Sequence, residues 1–354
     1  MNETAIKGAE MAGSDIAARK RRWGRMMAGA DSSQHLLLVR YEPDNLSRPL
    51  ALPELMAERT EFAWQQWERA VARTEWLHDD FVPHLDCLTG TEIFAEAFGC
   101  GIHRPPESQP CAQPLVFNAA EAAKVKVPSL DAPPLRRMFE MADELKRRAG
   151  GRVGGAGGAI FRPVDIQSPM DIAALIWEKS DFLLAMIESP EAVKELAGKC
   201  RSLLIAFLDE WQRRYGREHV AHFPEYFMPY GITLSEDEIG VVNNEMFEEL
   251  FLPELAALSE HFGQIGIHCC ANSEHQWKCF HKIPNLRFLN LAGHLGTKAY
   301  RFFADTQVIQ MHCTGTPEGW DQVIADNPRA RLYIEVGAKT RDEALRLVEK
   351  YRDE

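Results

Sequence analysis

The feature that most constrains this chain is a repeated order of segments. A short apolar run is followed by a polar or glycine-bearing turn, then by a longer stretch with helical period. Eight apolar runs fit the strand part: "LLLVRYEP" (36–43), "FVPHLDC" (81–87), "GGAIFRP" (157–163), "VAHFPEYF" (220–227), "QIGIHCC" (264–270), "LRFLNLAG" (286–293), "TQVIQMHC" (306–313) and "RLYIEVG" (331–337). The last four are the clearest. Strands that alternate with helices pair in parallel, because a parallel partner needs a crossover of a dozen or more residues. The expectation is an α/β fold of the (β/α)8 TIM-barrel type, with an open doubly wound sheet as the alternative.

Helix starts support this phasing. Ser235–Glu238, Ser273–Gln276 and Thr340–Glu343 fit the capping-box pattern. "SPEAVKEL" (189–196) and "TPEGWDQV" (316–323) place proline at the first helical position behind a hydroxyl cap. Residues 1–35 read as an N-terminal helical extension and 36–354 as one barrel domain. The long stretch between Cys87 and Gly157 is expected to be an insertion over the barrel mouth.

Composition narrows the function classes. The net charge is −12, and nucleic-acid binding needs a concentrated positive field, so none is expected. The one basic run, "ARKRRWGR" (18–25), reads as a solvated helix face. No window offers the ~18 apolar residues of a membrane span, and the N-terminus lacks a signal-peptide pattern. Eight cysteines in 354 residues form no disulfide scaffold. A cytoplasmic location is expected, where clustered cysteines read as metal-binding or catalytic.

In a barrel the C-terminal strand ends carry the chemistry. Here they bring Arg40, Asp86, Arg162, Glu225, His268 to Cys270, Asn290, His312, Cys313 and Glu335. His268 and Cys270 are two apart, so on a strand both point to one face and can converge on one ion. Imidazole and thiolate are the usual zinc ligands. Cys269 should turn away and be structural. His275 and Cys279 fall on the following helix, as surface or core. A third ligand must come from elsewhere, and Cys313 or Glu335 is the candidate; His312 should face away from Cys313. Two thiolates would hold an electron-rich zinc, suited to keeping a bound sulfur nucleophilic. Asp86 is the candidate polar anchor of the mouth or, equally, a turn cap before "TGTEIF". Glu225 and Tyr230 flank "YFMP" and are candidates for substrate contact. Arg40 would pair with Glu42 or with a substrate carboxylate. "GGRVGGAGGA" (150–159) lacks the Gly-Lys-Ser/Thr ending of a phosphate loop.

Four blocks resemble a known family: "LDCLTGTEIFAEAFG" (85–99), "SPMDIAALIWEKSDFLLAMIESPEAVKELAGK" (168–199), "YGITLSEDEIGVVNNEMFEELFLPELAAL" (230–258) and "IGIHCCANSEHQWKCFHKIPNLRFLNL" (265–291). They are similar to the uroporphyrinogen decarboxylase-like barrels, and the last to the branch of methylcorrinoid methyltransferases, where His-x-Cys begins a zinc site. The wording "HCCAN…HQW" resembles the chloromethane-utilisation type. The resemblance implies a zinc-dependent methyltransferase. It would exchange a methyl group between a small donor or thiol acceptor and a corrinoid carried by a partner protein. It also implies a cysteine at the last strand end, where this chain has "YIEVGAKTRDEA", and an acidic ligand after "LNL", where Ala292 stands. Asp86 fits the decarboxylase aspartate, but Leu175 and Ala338 stand at its tyrosine and histidine positions. Two further readings stay open: a lyase using Asp86 and Arg40 on a carboxylated substrate, and a non-catalytic barrel that binds a corrinoid or tetrapyrrole.

Overall fold

The computed structural model describes residues 3–29, 35–42, 46–105, 108–151, 153–154, 158–312 and 315–352, with side chains from residue 15 onward. Cys313 lies outside the described residues, so its expected place in the site has no structural account.

Parallel strands recur in chain order: β1 (Leu36–Arg40), β2 (His84–Asp86), β3 (Ile160–Arg162), β4 (Ile232–Ser235), β5 (Ile265–Cys269), β6 (Leu286–Leu291), β7 (Ile309–Gln310) and β8 (Arg331–Gly337). One sheet runs β1-β8-β7-β6-β5-β4, and a second, four-stranded, runs from β2 to β3, then to His219–Val220, parallel to β3 at Phe161, and to Phe227–Met228. Single backbone bonds join their margins. The Ser235 N–H donates to the Ile166 carbonyl and the Ser168 N–H to the Ser235 carbonyl. On the other side the Asp80 N–H donates to the Leu37 carbonyl.

The fourth expected strand is a correction. Residues 220–227 do not form one strand. They turn back as an antiparallel hairpin of His219–Val220 with Phe227–Met228. Pro224 lies in the middle of that run and supplies no N–H to a ladder. Val220 does belong to a short strand parallel to β3, and the next segment, Ile232–Ser235, is the parallel strand that joins β5. Ser235 is thus a strand residue and not a helix cap. Of the other expected caps, Thr316 and Thr340 accept from Gly319 and Glu343 N–H groups, whereas Ser189 and Ser273 make no side-chain cap bond.

Alternation puts the strands between two apolar layers. Leu36, Leu38, Phe288, Ile309 and Tyr333 share one cluster with Tyr226 and Phe227 of the hairpin and with Trp23, Met26 and Met27 of the N-terminal helix Glu3–Met27. Tyr226 stacks on Phe288 at 3.6 Å. A Cβ on Gly266 would collide with the Tyr226 hydroxyl, so the hairpin requires glycine there. Leu37, Val39, Leu332, Ile334 and Val336 face the other way, into a layer with Tyr300, Trp320 and Leu347. The helix Pro190–Tyr215 shows how such a layer is specified. It buries Val193, Leu196, Ala197, Cys200, Leu203, Leu204, Phe207 and Trp211, three or four apart, and stops at Gly216 with φ of 92°.

Two further expectations change. The basic run is solvated only in part: Arg21 and Arg25 are exposed, but Arg19 and Lys20 are buried, and Arg19 bonds to Asp79 at 3.0 Å and to the Leu77 carbonyl at 2.6 Å. The stretch after Cys87 packs against outer helices, with Glu92–Ala97 on Pro133–Arg148 and on Pro169–Ile176. Among the described residues of that stretch, Leu88 alone lines the cavity above Arg40 and Asp86.

Candidate functional site

The register of the sheet builds the site. Ser235 pairs with His268 across β4 and β5, and His268 with Asn290 across β5 and β6. The residues just beyond Ser235 therefore reach the His268 end of β5. The Glu236 N–H donates to the His268 carbonyl at 2.9 Å. Asp237 follows, and its carboxylate accepts from the Cys270 N–H at 2.6 Å and from the Cys270 thiol at 3.0 Å. One ligand-type atom each from Asp237, His268 and Cys270 lies within 4.8 Å of the others. Among the described residues this is the group of such side chains that could hold a metal ion.

The surroundings fix Asp237. Its N–H and that of Glu238 donate to the Asp171 carboxylate at 3.0 to 3.1 Å. Asp171 is itself placed by the N-cap Ser168, whose hydroxyl accepts from the Asp171 N–H. Beneath them Glu236 is buried against Asp171, and burial raises both acids, which favours one proton between them. The Cys270 thiol is pushed up to about 12, by burial first and then by Asp237. With no cation, Cys270 keeps its proton and donates it. A divalent ion would favour the thiolate and both donors at once.

Cys269 is buried and bonds to the Ala271 carbonyl, turned away as alternation requires. His275 is exposed with Nε2 on the Val242 carbonyl, and Cys279 is buried against Glu248. His312 is buried on the far side. Its Nδ1 accepts from the Leu291 N–H at 3.1 Å and its Nε2 meets Gln310 Oε1 at 3.0 Å.

A second polar cluster occupies the ends of β1, β2, β3 and β8. Arg40 bonds to Glu225 at 2.7 Å and to Glu335 at 3.1 Å. Arg162 bridges Asp86 at 3.1 Å and Glu225 at 3.3 Å. Glu335, expected near the metal ligands, instead pairs with Arg40, because the end of β8 lies beside β1. Arg40 likewise pairs with Glu225 and Glu335 rather than with Glu42. Burial would raise the Glu225 carboxyl, but His84, Arg40 and Arg162 together hold it well below the carboxylate range. Asp86 is depressed in the same way, burial being outweighed by Arg162, His222 and the Leu88 N–H. Asp86 also has a turn role. It accepts from the Leu88 N–H at 2.7 Å, and Leu88 holds a left-handed φ of 56°. Above this cluster opens a cavity of about 620 Å³, lined by Arg40, Arg48, Arg69, His84, Asp86 and Glu225 among others.

Tyr230 is a correction. It precedes β4, at the opposite end from Ser235, beside Gly263 and under Arg217. The misplaced fourth strand put it at the wrong end. Asp237 was missed for the same reason, since "ITLSEDE" read as a helix start. Its signal was a carboxylate two residues past the four-residue run "ITLS", which opens on the β-branched Ile232 and Thr233.

A family profile described as "Uroporphyrinogen decarboxylase (URO-D)" matches residues 85–291, more than half of the chain. The chain belongs to the uroporphyrinogen decarboxylase family. Among solved structures this family member resembles a methyltransferase from Methanosarcina mazei, with a TM-score of 0.63 and 11% identity. The match covers 93% of this chain and 96% of that one, so the two share a fold over nearly their full length. No curated protein matches the sequence. Among the described residues no helix is long and apolar enough to cross a membrane.

Proposed function

We propose that this family member is a metal-dependent methyltransferase. It would exchange a methyl group between a small donor or thiol and a corrinoid carried by a separate protein. We read β1 to β8 as one (β/α)8 barrel, the two sheets being arcs of it, with the N-terminal helix as an extension that closes one end. The observation that carries the function is the convergence of Asp237, His268 and Cys270 at neighbouring strand ends. Carboxylate, imidazole and thiolate fit zinc, and three protein donors leave a fourth position open, as a catalytic site needs. Bound there, zinc would lower the pKa of an acceptor thiol and keep its sulfur nucleophilic.

The chain's own groups do the rest. Asp237 accepts the Cys270 S–H, and that proton leaves when both serve as donors. Asp171 holds the Asp237 backbone in place. Phe223, exposed in the hairpin loop, sets its ring edge-on to His268 at 4.7 Å and restricts access from that side. The free cysteines among the described residues are compatible with a reducing cytoplasm.

The test combines metal analysis with methyl transfer from a methylated corrinoid to small thiols. Zinc at about one equivalent, with transfer abolished in Cys270→Ala, supports the reading; transfer unaffected by that substitution contradicts it. A second reading, a lyase for a carboxylated substrate, is favoured by the cavity over Asp86 and Arg40. It predicts that Asp86→Asn abolishes turnover while Cys270→Ala does not.

A further inference from the structure

We propose that Asn290 is a positioning residue that fixes the His268 imidazole as its Nδ1–H tautomer and leaves a bare Nε2 for a bound cation. This rests on the metal reading above. Asn290 stands directly opposite His268 in the β5–β6 register and is buried. Its amide NH2 donates to the Met311 carbonyl and lies 3.2 Å from the Met311 sulfur. That end is committed, so the other end, Oδ1, faces His268 Nδ1 at 2.6 Å. An amide oxygen only accepts, so the proton of the pair sits on Nδ1. The flipped amide would set its oxygen against the Met311 carbonyl oxygen, two acceptors in contact with no hydrogen between them. In neutral imidazole a protonated Nδ1 leaves the lone pair on Nε2. No described residue bonds to that nitrogen.

His312 provides the internal contrast. The Leu291 N–H donates to its Nδ1, which is therefore bare, and its Nε2–H faces Gln310 Oε1. Two histidines at strand ends on either side of β6 are thus held in opposite tautomers. His312 has both ring nitrogens engaged and nothing left for a ligand. His268 has one nitrogen engaged and one free, directed by a partner that belongs to the next strand.

The identity of residue 290 fits the charge of the site. With Asp237 and Cys270 as anions, a divalent ion and a neutral imidazole sum to zero charge. An amide acceptor orients the ring and keeps that sum, whereas an ionised carboxylate would add a charge in a buried place.

The test has two readouts. Histidine 15N NMR of the metal-free protein, assigned with His268→Gln and His312→Gln, should show His268 protonated on Nδ1 and His312 on Nε2. Zinc competition against a chromophoric chelator should show Asn290→Leu weakened by about 10–100-fold. Asn290→Asp keeps an acceptor toward Nδ1 but sets its second oxygen against the Met311 carbonyl and adds a buried charge, so its zinc affinity should fall below that of wild type. His268 found as the Nε2–H tautomer in the wild type overturns the proposal, whatever the variants do. Equal zinc affinity in wild type and Asn290→Leu overturns it as well. A wild-type protein that takes up no zinc but shows the stated tautomer supports the positioning and overturns the metal reading.

Discussion

The two polar clusters at the strand ends differ in how their charges are matched. In the Arg40 cluster, Glu225, Glu335 and Asp86 each face a guanidinium, and Arg40 and Arg162 each face two carboxylates. In the Asp237 cluster, carboxylate, thiol and imidazole face one another with no cationic side chain among them. The first sets two guanidiniums against three carboxylates, so each acid already has a cationic partner and the mouth is anchored without a ligand. The second holds acid groups together by a proton on Cys270, and a divalent cation satisfies all three donors better. Matched charge reads as architecture, and donors gathered without a cation read as a metal site.

The largest expected effect breaks the second cluster. Asp237→Ala or Cys270→Ala should weaken zinc binding by at least roughly a hundredfold, given binding energies of about 10 kcal/mol shared among the ligands. Their folding should change little, because Cys270 is exposed and Asp237 half-exposed. A chelator competition titration compares the variants, and an unchanged affinity in Asp237→Ala would remove the carboxylate from the ligand set.

The next effect breaks the first cluster. Glu225→Gln leaves Arg40 and Arg162 short of a partly buried counter-charge and should cost about 3 kcal/mol of stability. Zinc stoichiometry should not move. Denaturant unfolding and metal analysis on the same sample separate the two clusters; zinc lost along with stability would mean that they are one unit.

A pH series sharpens the same contrast. The folded Glu225 carboxyl lies far below its ordinary 4.5. Its stabilisation is full above about pH 4.5 and is lost as pH falls below that value, since the unfolded chain then binds the proton that the folded one refuses. Wild type should lose more stability than Glu225→Gln between about pH 5 and pH 3, the carboxylate range. The smallest effect belongs to Tyr230→Phe, within about 0.5 kcal/mol of wild type and without change in zinc affinity.

Much of this was legible in the sequence where periodicity and position agree. Residues 331–337 were expected as a strand and form one, and the paired His268 and Cys270 emerge on one face because strand alternation is local. The α/β class followed from the ordered segments, and the family from the four blocks that resemble it. What was lost traces to one segment. "VAHFPEYF" is as apolar as a strand, yet past Val220 the chain turns at Phe223 and Pro224 and folds back as a hairpin at the edge of the second sheet, while the four residues of "ITLS" make the parallel strand beside β5. That shift by one segment sent Tyr230 to the wrong end and hid Asp237. Charge pairing was also illegible, since Glu335 meets Arg40 only through the β1–β8 neighbourhood, 295 positions apart. The basic run of the N-terminal helix shows the same limit: Arg19 is buried because Asp79 lies 60 positions away and waits for it.

The central claim is that Asp237, His268 and Cys270 form a metal site, and elemental analysis of the purified protein beside a variant of all three residues tests it most directly. The account predicts about one zinc per wild-type chain and less than about a tenth in the triple alanine variant, as expected when the ligands themselves are removed. Wild-type protein without zinc, or a variant that retains it, would contradict the account.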